Sequence, residues 1–308
     1  MITLKIFITG ATGYVGTKVT KELIDLGHEV VGLARSENSA EKLRTLGASS
    51  VTGDLESLSV LTEAAANADA VLHLGFQHNF DEFAKAGQVD KAAILALAAG
   101  IKRTNKPLII TSGTAMIGTN ANEKQISEDY RMPADQEAST PRKSEYVAYD
   151  LIDDGYNVGI VRLAPSVHGP EDQHGFVRQL AAIAEQNGKS AYIGDGSNRW
   201  NAVSQKDAAH LFVLAVDYLL NKEVKLRIFN AVAESAITAK EIAQAIGDYL
   251  NVPTVSLTQA ESQEQLGFLA GIFALDAPTS SDQTQKELNW TPVEPTLIAD
   301  LKSGSYFK

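Results

Sequence analysis

The sequence predicts an α/β chain: a doubly wound parallel sheet carrying a smaller, discontinuous C-terminal lobe. Three observations predict it. Short β-branched runs alternate with helix-length amphipathic stretches over the first 165 residues, a glycine-rich loop follows directly on the first run, and the alternation lapses after Pro165. Strands separated by helix-length connections are parallel with right-handed crossovers, as a doubly wound sheet requires.

In chain order, strands are expected at LKIFI (4–8), HEVVGL (28–33), SSVTG (49–53), DAVLHL (69–74), KPLIIT (106–111) and NVGIVRL (157–163). Between them, YVGTKVTKELIDLG (14–27) and FDEFAKAGQVDKAAILALAAG (80–100) read as helices. Beyond Pro165 come a helix near 174–187, the Gly-rich YIGDGSNRWN, a helix near 205–220, a short RIFNAV strand and further helices. The sheet domain is expected at 1–165 plus 201–232, and the substrate lobe at 166–200 plus 233–308. Its expected place is above the C-terminal edge of the strands, where open α/β sheets bind ligands.

Composition narrows the function classes. With 308 residues and 44% hydrophobic content the chain buries a sizeable core. A formal charge of -11 opposes the positive field that nucleic-acid or anionic-membrane binding needs, so a small molecule is the expected partner. The absence of cysteine excludes disulfides, thiolate nucleophiles and Cys-based metal sites. No carboxylate–histidine set has ligand spacing, so no metal is expected. MITLKIFITG lacks a secretory pattern, and AAILALAAGI is too short for a membrane span, which points to a soluble, cytoplasmic protein compatible with a homodimer.

The strongest local signal is ITGATGYVGTKV, with Gly10, Gly13 and Gly16 between the first strand and a helix. Glycines there allow a tight turn, let backbone approach a pyrophosphate and let the helix pack closely, while the helix N-terminus supplies amide donors. The context is that of a Rossmann-like dinucleotide site. Where NAD-preferring sites carry an acid after the second strand, this chain has GLARSEN. Arg35 suits a 2′-phosphate and Ser36 adds a hydrogen bond, so NADP is expected, with NAD possible because Glu37 follows.

These residues make the chain resemble the extended short-chain dehydrogenase/reductase family, the group of NAD-dependent epimerases and dehydratases. TGATGYVG matches its T-G-x-x-G-x-x-G, GDL (53–55) its Asp-Leu pair, HLG (73–75) its strand-four turn and TSGTAMIG (111–118) its strand-five segment. RLAPSVHGP (162–170) is similar to its R-x-x-x-V-Y-G-P turn, and LNWTP (288–292) to its terminal L-G-W-x-P. The resemblance implies cofactor contacts from Thr12, Tyr14, Val15, Asp54, Leu55, Leu74, Gly75, Thr111, Pro165 and Val167.

That family exchanges the proton through a tyrosine activated by a lysine four residues on, two positions that share one helix face. Counting back from Arg162 through Glu145 places the pair near 137 and 141, where this chain has Glu137 and Pro141. Tyr146 and Tyr149 are followed at that spacing by Asp150 and Asp153, and Tyr14–Lys18 and Tyr218–Lys222 lie elsewhere in the fold. The helix is expected to start at Ser139 or Thr140 as N-cap, with Pro141 at its first position.

His168, in place of the family's tyrosine, and the hydroxyls of Ser112 and Thr114 are the candidate proton-transfer groups, with Gly113 at the usual Ser/Thr position. His168 also reads as a plain turn residue. His174, Phe176, Asn198, Arg199 and Trp200 are candidate substrate contacts, although an interlobe salt bridge with a packed tryptophan explains the last three equally well. The expected function is an NADP(H)-dependent oxidoreductase for a small carbonyl or hydroxyl compound. The alternative is an NAD(P)-binding sensor or scaffold without turnover.

Overall fold

The computed structural model describes residues 3–77, 82–117, 125–221 and 223–307. In chain order its elements are β1 (Lys5–Thr9), α1 (Tyr14–Asp25), β2 (Glu29–Ala34), α2 (Glu37–Leu46), β3 (Ser49–Thr52), α3 (Leu58–Ala66), β4 (Ala70–His73), α4 (Phe83–Gly100), β5 (Leu108–Gly113), α5 (Ser144–Asp153) and β6 (Val158–Leu163). There follow β7 (Ser166–His168), α6 (Phe176–Asn187), β8 (Ser190–Ile193), β9 (Arg199–Ser204), α7 (Gln205–Asn221), β10 (Ile228–Ala231), β11 (Glu234–Thr238), α8 (Ala239–Leu250) and β12 (Thr254–Leu257). The chain closes with α9 (Gln259–Leu266), α10 (Leu269–Phe273), α11 (Asp282–Leu288) and α12 (Leu297–Ser303). Of the expected residues, Phe80 and Asp81 at the start of a helix, Gly118 and Lys222 lie outside those described.

Seven strands form one sheet in the order β10-β6-β5-β4-β1-β2-β3. Parallel ladders join β1 to β2 and β4, β2 to β3, and β4 to β5. The order reverses at β1, which puts the switch point of the doubly wound sheet between β1 and β4, directly above the glycine loop. All six expected strands of the first 165 residues are in this sheet, because continuous apolar runs such as Ile6-Phe7-Ile8 and Ala70-Val71-Leu72 are buried on both faces. In α1 the buried positions are Gly16, Val19, Thr20 and Leu23, the three-and-four spacing of one helix face.

The chain divides into two compact units. The first comprises Met1–Ser112, Arg131–Val161 and Ala209–Phe229, and the second Gly113–Tyr130, Arg162–Ala208 and Asn230–Lys308. The second therefore takes 113–130, 162–165, 201–208 and 230–232, which sequence alone assigns to the sheet domain. It contains a three-stranded sheet, β11-β9-β7, and a parallel β12-β8 pair. These strands are short and lie where the sequence pattern is irregular, so periodicity does not reveal them. Their core is built on Trp200, Phe273, Ile242, Ile246 and Leu301, all nearly inaccessible. Each such side chain contributes about 1.5–3 kcal/mol by leaving water.

Helix α5 corrects an expectation. It begins at Ser144, with Lys143 as N-cap, rather than at 139–141. The proline disfavours helical backbone at Thr140, and the Pro141 carbonyl packs so tightly on Gly87 of α4 that a Cβ there would overlap it. Ser139 and Thr140 donate their hydroxyls to the Gln136 carbonyl instead of capping α5.

Candidate functional site

In the first unit, the loop from β1 into α1 is a cradle only glycine can form. Gly10 has φ +73°, and a Cβ on it would lie 2.6 Å from the Gly75 nitrogen and 2.8 Å from the Leu74 carbonyl carbon. A Cβ on Gly16 would overlap the Gly10 carbonyl oxygen. Gly13 is the N-cap of α1 and makes no side-chain capping bond, so the helix start is not closed by a side chain of its own N-cap. Thr12, Tyr14 and Val15 are half-buried around this turn. A pyrophosphate fits this donor set, and NAD(P) supplies hydride chemistry when bound.

Arg35, just past β2, is exposed and makes no hydrogen bond or ion pair among the described residues. Glu37, the residue that would compete for it, instead faces Arg44 at 3.5 Å. Ser36 caps α2: its hydroxyl accepts from the Ser39 amide at 3.2 Å. After β3, Asp54 accepts from the Ser57 hydroxyl at 2.8 Å and the Glu56 amide at 3.0 Å. The Ser57 hydroxyl leads the influences that hold this carboxyl below its ordinary range. Leu55 lies against Gly75, where a Cβ would come within 3.2 Å of it.

Between the ends of β1, β4 and β5 runs a buried polar chain that motif reading does not reveal. The Gly75 amide donates to Thr9 Oγ1 at 3.1 Å, and the same hydroxyl pairs with His73 Nδ1 at 2.8 Å. His73 Nε2 meets Asp90 Oδ1 of α4 at 3.1 Å, and since a carboxylate only accepts, that nitrogen is the donor in the bond. Asp90 Oδ2 accepts the Ser144 hydroxyl in a short bond. Ser144 Oγ in turn receives Arg142 Nε at 2.8 Å, and Arg142 Nη2 donates to the Thr111 carbonyl at 2.6 Å. Burial, the largest single influence on Asp90, pushes its pKa up. Hydrogen bonds from His73 and Ser144, with the charges of His73 and Arg142, outweigh it and leave the carboxyl below its ordinary range. The Thr111 hydroxyl donates to the His73 carbonyl at 2.8 Å, and Ser112 is buried beside it. One signal in the sequence hints at the chain: Asp90 is a lone acid in an otherwise small, apolar helix face.

The positions where the family pair is expected do other work. Glu137 faces Lys91 at 3.8 Å and its carbonyl accepts Lys143 Nζ, while Pro141 is exposed. Both tyrosines of α5 pin the preceding segment: Tyr146 donates to the Pro133 carbonyl at 3.1 Å, and the Tyr149 hydroxyl accepts the Met132 amide at 3.4 Å while donating to Glu145 Oε2 within the helix.

In the second unit, Thr114 is buried and accepts from Asn201 Nδ2 at 3.3 Å. His168 is 0% exposed, its Nδ1 2.6 Å from Asp300 Oδ2 of α12, and Glu234 Oε1 lies 4.0 Å from Nε2. Its partner is thus a carboxylate from α12 rather than turn backbone. Pro165 and Val167 flank it, half-buried. Asp172 shapes the loop after β7: its Oδ1 accepts the amides of His174 and Gly175, and its Oδ2 the Tyr306 hydroxyl at 2.5 Å. His174 is exposed, and Phe176 meets Trp200 edge-on at 6.2 Å. Asn198 donates to the carbonyls of Phe273 and Leu275, and Arg199 holds Asp276 through Nε and Nη2 at 2.9 and 2.8 Å. Trp200 is 1% exposed. These three side chains tie β9 to the 273–276 segment inside the unit.

A glycine cradle at the switch point of a doubly wound sheet defines a dinucleotide-binding Rossmann protein. The model of the NAD dependent epimerase/dehydratase family matches residues 6–231. The chain belongs to that family, within the extended short-chain dehydrogenases/reductases. It is 42% identical to an uncharacterized protein of Schizosaccharomyces pombe over 99% of this chain and 100% of that one. It is also 29% identical to a 2-alkyl-3-oxoalkanoate reductase of Stenotrophomonas maltophilia, over 70% of this chain and 66% of the reductase. The fold is similar to that of a Bordetella bronchiseptica enzyme solved with NAD and UDP, with a TM-score of 0.75 at 16% identity, covering 99% and 94% of the two chains. Among the described residues no helix is long and apolar enough to cross a membrane, and no histidine–carboxylate group suits a metal.

Proposed function

We propose that the chain is an NADP(H)-dependent oxidoreductase that acts on a small carbonyl or hydroxyl compound without a Tyr-x-x-x-Lys pair. The carrying observation is the glycine cradle followed by Arg35, an exposed guanidinium with no partner among the described residues, while Glu37 is drawn to Arg44. A 2′-phosphate uses that cation and a 2′-hydroxyl does not. The reductase named above supports carbonyl reduction, and the NAD-bound neighbour supports a dinucleotide.

In this reading the proton comes through water and the hydroxyl of Ser112, at the same strand end as Thr111. Thr114, whose oxygen accepts from Asn201, is a second hydroxyl for that task. His168, enclosed and engaged by Asp300, serves as a clamp.

Calorimetry with NADPH and NADH tests the cofactor preference. NADPH is expected to bind roughly tenfold or more tightly, the equivalent of about 1.5–3 kcal/mol for a charge-assisted contact, and Arg35→Ala to erase the difference. Equal affinities in the parent protein remove the argument. A panel of aldehydes, ketones and enones followed at 340 nm tests turnover, and silence across it with tight NADPH binding favours a sensor.

A further inference from the structure

Arg142 is the one side chain in the buried chain of the first unit whose chemistry exceeds its structural task. Taking a guanidinium out of water costs several kcal/mol, and burial is the main influence drawing its pKa down. Yet its contacts are modest. Nε serves Ser144, Nη2 serves the Thr111 carbonyl, and the nearest carboxylate oxygen, on Asp90, stands 4.0 Å away with the Ser144 hydroxyl already bonded to it. None of these contacts uses Nη1. The plane of the group is held at 4.3 Å over the Phe76 ring, and the side chain stays 14% exposed. A guanidinium clamped through one edge and one face leaves its remaining N–H groups aimed in a set direction.

Place and charge identify what it meets. Arg142 bonds to the end of β5 and stacks on the residue that follows the β4 turn, on the opposite side of the switch point from Arg35 and Asp54. A dinucleotide bound across that point puts its adenosine half over β2 and β3 and its other half over β4 and β5. Asp90 already balances the guanidinium, and Glu145 adds further negative potential. The local field therefore disfavours a second anion and leaves a strong donor for an uncharged oxygen.

We infer that Arg142 is a ligand-binding residue that donates to neutral oxygens, hydroxyl or amide, on the nicotinamide-side half of the bound dinucleotide, with Ser144, Asp90 and His73 as positioning residues behind it. This rests on the cofactor reading above. It lies before α5, one residue past the position where the family's lysine is expected.

The test is calorimetry with NADP+ and with 2′,5′-ADP, a fragment that retains the adenosine half and lacks the nicotinamide ribose. Arg142→Met is expected to weaken NADP+ roughly tenfold or more while 2′,5′-ADP changes less than about twofold. Arg142→Lys, which keeps the charge opposite Asp90 and loses the fork, is expected to fold like the parent and fall between the two. If Arg142→Met does not fold, the lysine variant carries the comparison on its own. Unchanged NADP+ affinity in the variants overturns the inference, and so does an equal loss for both ligands, which marks a structural residue. A parent protein that binds neither ligand sinks the cofactor reading itself, and is distinguished because no variant is needed to see it.

Discussion

Each unit buries a histidine against an aspartate, and the two pairs are built differently. His73 and Asp90 sit in a closed set: both ring nitrogens are bonded, and Asp90 receives His73 and Ser144. His168 and Asp300 sit in an open one. Nδ1 is bonded, but buried Nε2 has no hydrogen bond, and the acid oxygen facing it belongs to Glu234 at 4.0 Å. The Glu234 pKa is raised, chiefly by burial and further by the charge of Asp300, against the Leu297 amide and His168. Asp90, inside the closed set, has a lowered pKa, and Glu234, buried beside the open ring nitrogen, a raised one, so the two sets respond to pH in opposite directions. The difference separates a fully bonded frame under the glycine loop from a partly bonded pair that joins β7 to α12.

The largest expected effect breaks the closed network. Asp90→Ala leaves Arg142 without its counter-charge and His73 and Ser144 without an acceptor, so urea denaturation is expected to register a loss of about 3–5 kcal/mol. Asp90→Asn sharpens the point through pH. Because the folded Asp90 pKa is depressed, its stabilisation is present above the ordinary carboxylate range and is lost as pH falls through the folded value. The parent is expected to lose stability over that acid window while the Asn variant has a flatter profile; parallel profiles contradict the assignment.

An intermediate effect tests the brace on the other side. Tyr306→Phe removes the hydroxyl donated to buried Asp172 Oδ2, with an expected loss of about 1–3 kcal/mol. Hydrogen exchange is expected to rise in 169–175 and to stay unchanged in the glycine loop. Equal protection in both proteins means that Tyr306 does not hold that loop.

The smallest effect addresses the open pair. A raised folded pKa means that Glu234 contributes most favourably below its ordinary value and that this contribution is lost as pH rises through the folded value. Glu234→Gln keeps an acceptor for the Leu297 amide, and is expected to gain at most about 1 kcal/mol near neutrality, given partial solvent screening, with the gain vanishing as pH falls. A gain that persists in acid assigns the effect to packing instead.

How much of this was readable beforehand follows the range of the forces involved. The six strands of the first 165 residues and α1 stand where apolar runs and helical spacing put them, and the glycine loop has the geometry its spacing implies. The start of α5 was misread because proline at a helix's first position is a good local rule, and the close packing of Pro141 on Gly87 overrides it. Asn198, Arg199 and Trp200 read in sequence equally as a ligand-binding cluster or as a salt bridge with a packed tryptophan, and their side chains turn to partners near 273–276 that no local pattern indicates.

By itself the sequence determined the doubly wound order of elements and the cradle at the switch point. Both depend on backbone conformation and side-chain period within a dozen residues, where φ limits and burial act locally. Only the tertiary structure decided which polar groups meet. Ser144 finds Asp90 across 54 positions, His168 finds Asp300 across 132, and Arg142 turns onto Phe76. A buried polar group must be paired with whatever packing brings beside it, and that choice is written in contacts between distant elements.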